Sequence, residues 1–111
     1  SLAGAMTDVR YLTEGNAIPT VMFHGTDDNL VPYVTAPHHY CASDKTGYLW
    51  LDGSHTITQK LSALNTSHLL YTYKGARHEI AEIPFDKQEI IFQFLHDTVL
   101  QGEYRALSLE E

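Results

Sequence analysis

The chain has 111 residues, of which 43 % are hydrophobic and 19 % charged, with a formal net charge of −7. This is the balance of one globular domain with a core, not of a disordered chain. The acidic charge argues against nucleic acid and anionic membrane as partners, since phosphate binding needs clustered Lys and Arg, and a single cysteine, Cys41, allows neither an internal disulfide nor a cysteine zinc site.

Along the chain, "SLAGAM" (Ser1 to Met6) is small and apolar and reads as the tail of an element. It is too short for a signal peptide. Because the first residue is not Met, the chain is expected to be a processed product or an excised piece, and the compartment stays open. Ile18 to Phe23 is a nearly continuous apolar run between Pro19 and Gly25, the pattern of a strand buried on both faces in a parallel sheet. Val31 to Tyr40 is read as a short helical turn. "GSHTITQKLSALN" is a helix, with Ile57, Leu61 and Leu64 as its apolar stripe and Asp52 or Ser54 as its cap. "HLLYTYKG" (His68 to Gly75) is a second strand rich in β-prone residues. "DKQEIIFQFLHDTVLQG" closes the pattern as a helix. Asp86 and Glu89 have near-capping-box spacing there. Ile90, Ile91, Phe94, Leu95 and Val99 form its buried stripe, and Gly102 stops it. No apolar stretch reaches the roughly 20 residues that span a bilayer.

The order is therefore strand, helix, strand, helix, with a crossover between parallel neighbours. In such α/β folds, sites gather in the loops at the carboxyl ends of the strands. The first of these loops carries His24, Asp27 and Asp28. The second, "YKGARHEI", carries His78 and Glu79, with Gly75 and Ala76 letting the chain turn. Adjacent parallel strands put both loops on one edge of the sheet. A carboxylate beside an imidazole there fixes the ring tautomer and stabilises the imidazolium that forms when the ring takes a proton.

"HGTDDNLVPY" after one buried strand and "GARHE" after the next resemble the C-terminal part of an α/β-hydrolase, closest to the esterase and lipase-like carboxylesterase branch. In that family the catalytic acid follows the seventh strand in a pattern like His-Gly-Thr-x-Asp-x-x-Val-Pro. The resemblance thus implies that His24, Gly25, Thr26, Asp28, Val31 and Pro32 fill the pattern, with Asp28 as the acid and Asp27 at the variable position. The family histidine follows the eighth strand as Gly-x-x-His, here Gly75 and His78. "SLAGAM" is similar to the end of the sixth strand, and Asp86 to Leu100 to the closing helix. The implied fold is a single partial α/β-hydrolase domain over residues 1–111 with an incomplete sheet. The implied substrate is a carboxylic ester, of a small molecule or linked to a polysaccharide.

Two family elements are lacking in this sequence, the oxyanion-hole loop of the early strands and the nucleophile elbow. No Gly-x-Ser-x-Gly nucleophile elbow occurs in it. Ser54 has a glycine neighbour but follows Asp28 and lies at a helix start. The expectation is that Asp28 and His78 are present without a nucleophile and that the chain alone turns over no ester. The alternative is a non-catalytic α/β module that binds itself or a partner.

Other residues carry plainer readings. Asp27 is a solvated loop residue, and His24 is structural, bonded at the strand end. His38 and His39 are adjacent and point to different faces, and "HEIAE" lacks the second histidine of a zinc helix, so neither a metal nor a cofactor is expected. Cys41 is read as a small buried side chain, and Trp50, Tyr71 and Tyr73 as core or sheet packing. Finally, a two-stranded sheet with one strand bare along its outer edge is marginal alone. The chain is therefore expected to form a homo-oligomer or to pair with a complementing N-terminal segment.

Overall fold

The computed structural model describes residues 1–82 and 85–111. In chain order its main elements are β1 (Ala5–Met6), β2 (Thr20–Gly25), β3 (Thr35–Pro37), β4 (Trp50–Gly53), α1 (Ser54–Ala63), β5 (His68–Tyr73), α2 (Gln88–Leu95) and β6 (Ala106–Glu110). It is a mixed α/β fold with two small sheets.

The first sheet is parallel, in the order β2-β5-β6. Thr20 stands opposite His68 and Gly25 opposite Tyr73. Both apolar runs are therefore strands, and α1 lies in the crossover between them. The third strand was not anticipated. "ALSLE" alternates, with Leu107 and Leu109 half-buried and Ala106, Ser108 and Glu110 exposed. It makes β5 the central strand rather than half of a pair.

Side chains of β2 and β5 alternate between two apolar layers. Phe23, Leu69 and Tyr71 pack with Ile80 and Phe94 on the α2 side. Met22 and Leu70 pack with Ile57 and Leu61 of α1 on the other. This double covering is why both strands read as nearly continuous apolar runs. Full burial of each large side chain contributes roughly 1.5–3 kcal/mol.

The second sheet is antiparallel, in the order β1-β4-β3. It corrects the reading of Val31 to Tyr40 as helical, since Thr35–Pro37 is a strand and only His38–Tyr40 forms a tight helical turn. The cap assignments are also corrected. α1 begins after Gly53 with no side-chain cap. The Asp52 carboxylate instead accepts from the Val9 N–H at 2.7 Å and the Thr35 hydroxyl at 2.8 Å. Likewise no side chain caps α2, whose N-cap is Lys87, so Asp86 and Glu89 form no capping box.

The last helix differs in its register. After Leu95 the helix widens into a π turn over His96–Leu100. That extra residue per turn rotates the buried face, so Thr98 is buried and Val99 is exposed. The Thr98 hydroxyl then bonds back to the Phe94 carbonyl at 2.8 Å. Trp50 is likewise not in the core: it is 51 % exposed, with its indole N–H donating to the Tyr48 hydroxyl. Cys41 is only partly buried.

Ser1 to Ala3 runs beside β2 on the edge away from β5. Leu2 forms a parallel bridge with Phe23. The Ala3 N–H donates to the Phe23 carbonyl at 2.7 Å, and the Phe23 N–H to that of Ser1 at 3.0 Å. The expected bare edge of β2 is therefore partly covered by the chain's own first residues. No helix among the described residues is long and apolar enough to cross a membrane.

Candidate active site at the carboxyl edge of the parallel sheet

β2 and β5 end side by side, and two loops leave from the same edge. Backbone and side-chain bonds stitch these loops together. The Thr26 N–H donates to the Tyr73 carbonyl at 3.0 Å, and the Asp27 N–H to that of Ala76 at 2.9 Å. The Thr26 hydroxyl accepts from the Gly75 N–H at 2.8 Å. Gly75 takes the left-handed conformation, φ +75°, which turns the chain back over the sheet.

Gly25 allows the approach. A Cβ there would stand 2.2 Å from the Ala76 carbonyl oxygen. The glycine and threonine of "HGT" thus have local physical reasons: one makes room for the second loop and the other ties it down.

Asp28 is buried at 1 % exposure. Its Oδ1 accepts the N–H groups of Leu30 and Val31, each at 2.9 Å. Its Oδ2 accepts from His78 Nδ1 at 2.8 Å. Burial alone raises the carboxyl pKa, but the His78 bond and the two backbone donors outweigh it and hold the group below its ordinary value. Asp27, by contrast, is exposed, and among the described residues its carboxylate accepts only from the neighbouring Thr26 hydroxyl. The second of the adjacent acids faces the interior and the first faces water.

His78 opens the tight turn His78–Glu82, and its side chain remains 35 % exposed. With Nδ1 donating to Asp28, the lone pair lies on Nε2, the nitrogen able to accept a proton from outside. Among the described residues no serine, threonine or cysteine side chain bonds to His78. The Glu79 carboxylate accepts the Arg77 N–H at 3.0 Å and shapes the loop instead.

Behind Asp28 lies a second imidazole. His24 is 0 % exposed. Its Nδ1 is 2.8 Å from Ser54 Oγ, and its Nε2 is 3.0 Å from the Val31 carbonyl and 3.3 Å from Asp28 Oδ2. Burial pushes its pKa down, against the pull of the Val31 carbonyl and of Asp28. Ser54 is wholly buried at the first position of α1. It supplies a hydroxyl to this chain of bonds, not a nucleophile to solvent. The Ser54–His24 contact joins residues 30 apart and has no trace in local sequence; only their shared burial reveals it.

The His38 and His39 rings lie with centroids 3.9 Å apart and planes tilted by 52°, so, against expectation, the two side chains do not point to separate faces. Among the described residues no three His, Cys, Asp or Glu side chains converge to hold a metal ion. Two cavities among the described residues lie away from the Asp28–His78 pair. One of about 400 Å³ separates α2 from β6, and an apolar one of about 270 Å³ lies between the N-terminal segment and α1. In comparisons with protein-family models, curated proteins and solved structures, the chain matched none.

Proposed function

We propose that Asp28 and His78 are the acid and base of a serine ester hydrolase of the α/β-hydrolase type, and that the nucleophilic serine comes from a segment outside these 111 residues. The observation that carries this is the 2.8 Å bond from His78 Nδ1 to a buried Asp28, with the imidazole still open to solvent. Three features support it. Both side chains leave the carboxyl edge of neighbouring parallel strands. The acid is held ionised by three donors. The base is held in the tautomer that accepts at Nε2.

In this reaction His78 Nε2 takes the proton of the serine hydroxyl as its oxygen adds to the ester carbonyl. The tetrahedral species collapses, the C–O bond to the alcohol breaks, and the alcohol leaves with the proton held on Nε2. Water then adds to the acyl-serine by the same relay, releasing the acid and restoring the serine. Asp28 keeps its charge throughout and stabilises the transient imidazolium. The substrate class is a carboxylic ester, small or polysaccharide-linked.

The chain alone is expected to show no saturable hydrolysis of a short activated ester. Joined or mixed with an in-frame upstream segment containing Gly-x-Ser-x-Gly, it is expected to become active. In that assembly Asp28→Asn is expected to lower kcat by about 10⁴-fold, because an amide leaves the imidazole in the wrong tautomer and does not balance its charge. Saturable turnover by the lone chain, or an active assembly indifferent to Asp28 and His78, overturns the reading.

A further inference from the structure

The His78 side of Asp28 accounts for one face of the acid; the buried side has a partner that the relay does not use. His24 Nε2 faces two acceptors, the Val31 carbonyl at 3.0 Å and Asp28 Oδ2 at 3.3 Å. Neither can donate, so Nε2 must carry hydrogen. His24 Nδ1 faces the Ser54 hydroxyl at 2.8 Å, which can donate. The Gly4 carbonyl is a more distant acceptor for that hydroxyl, at 3.2 Å. A neutral ring satisfies this set: Ser54 gives its proton to Nδ1, and Nε2–H is shared between Val31 and Asp28. A charged ring would turn the Ser54 hydroxyl toward Gly4 and bury an imidazolium in a site closed to water, a desolvation cost that the neighbouring Asp28 carboxylate offsets only in part.

We propose that His24 is a positioning residue for Asp28, held in its Nε2–H tautomer by the Val31 and Asp28 acceptors and in its orientation by Ser54, so that the acid's Oδ2 stays aligned with His78. The proposal rests on the reading of Asp28 as the relay's acid, but its geometry is independent of where a nucleophile comes from. The bond to the Val31 carbonyl matters as much as the contact with the carboxylate. Val31 donates its own N–H to Asp28 Oδ1 at 2.9 Å, so His24 braces both ends of the loop that carries the acid. The edge of the His24 ring also packs against Tyr33, centroids 5.7 Å apart, which limits its rotation. Ser54 has no role in covalent chemistry here; it acts only through His24.

The test is imidazole nitrogen NMR on the ¹⁵N-labelled chain, which reads tautomers without any substrate. In the wild type, His24 is expected to be neutral and wholly Nε2–H at neutral pH, and the His78 Nδ1–H to give a slowly exchanging downfield proton. Ser54→Ala is expected to leave His24 as Nε2–H but less firmly oriented, and to speed exchange of the His78 proton at least several-fold. His24→Phe should also speed that exchange, while His24→Gln, which keeps an N–H toward Asp28, should restore most of the protection. A wild-type His24 that is cationic or Nδ1–H overturns the proposal without needing any variant. So does a His78 proton unchanged in folded Ser54→Ala and His24→Phe. If His24 behaves as stated but no assembly ever hydrolyses an ester, the hydrolase reading falls while the positioning role stands. Ester hydrolysis alongside a wrong His24 tautomer gives the converse.

Discussion

At the scale of single residues, the site is a short chain of bonds from Ser54 through His24 to Asp28 and out to His78. Two of its members have folded-state pKa values below their ordinary ones, and both act in the same direction on stability. His24 ordinarily titrates at 6.5, and burial lowers it in the fold. Below that pH the unfolded chain binds more protons than the folded one, so stability falls. Asp28 ordinarily titrates at 3.8. Burial opposes its ionisation, but its hydrogen bonds win and lower the value. Its contribution is therefore present above that pH and is lost as the folded carboxyl is protonated. Urea-unfolding midpoints measured from pH 7.5 downward are expected to decline first below about 6.5 and again below about 4. A curve flat down to pH 5 would contradict the neutral buried state of His24.

At the scale of elements, the site depends on how closely two loops approach. Gly25 ends β2 directly beneath the Ala76 carbonyl. Gly25→Ala places a methyl where that carbonyl stands, and the loop bearing His78 must lift. The expected result is a loss of stability of about 1–3 kcal/mol, together with weakening of the His78–Asp28 bond. Chemical denaturation reads the first, and the downfield His78 Nδ1 proton reads the second. A fully stable variant with an unchanged proton would show that the approach is not needed. Gly53 plays a similar part at the start of α1, where a Cβ would lie 1.9 Å from the Pro32 carbonyl oxygen. The stripe of α2 is legible as far as Phe94; Leu95, expected in it, is 38 % exposed. Past Leu95 the π turn broke the regular period, so Val99 was assigned to the wrong face and Thr98 was not seen at all.

At the scale of the whole molecule, the chain is a slab of 48 × 32 × 16 Å. Its radius of gyration of 14.3 Å exceeds the roughly 13 Å usual for this length. A thin slab cannot cover all its apolar groups. Phe92, Val99, Leu100 and Tyr104 are exposed around the last helix, and Leu2 and Ile18 along the β2 edge. Surfaces of this kind mark association when they are contiguous. Light scattering at micromolar concentration is therefore expected to give a mass at least twice that of one chain, unless a complementing segment is supplied. A single-chain mass under these conditions would count against both the homo-oligomer and the complementation readings.

The sequence by itself determined what local periodicity and backbone chemistry can encode. The nearly continuous apolar runs of Ile18 to Phe23 and His68 to Tyr73 required strands covered on two sides. The i, i+4 spacing of Ile57 and Leu61 required a helix between them. Parallel pairing then sent Asp28 and His78 to one edge. Tertiary structure alone decided the rest. β6 is short and half polar, so only pairing with β5 makes it a strand. Asp52 and Ser54 are good helix caps by type, yet each finds a better partner across the fold, Asp52 at Val9 and Thr35 and Ser54 at His24. The Ser54–His24 and Asp52–Val9 bonds join residues 30 and 43 apart, and hydrogen bonds between residues so distant in sequence leave no periodic mark on the chain.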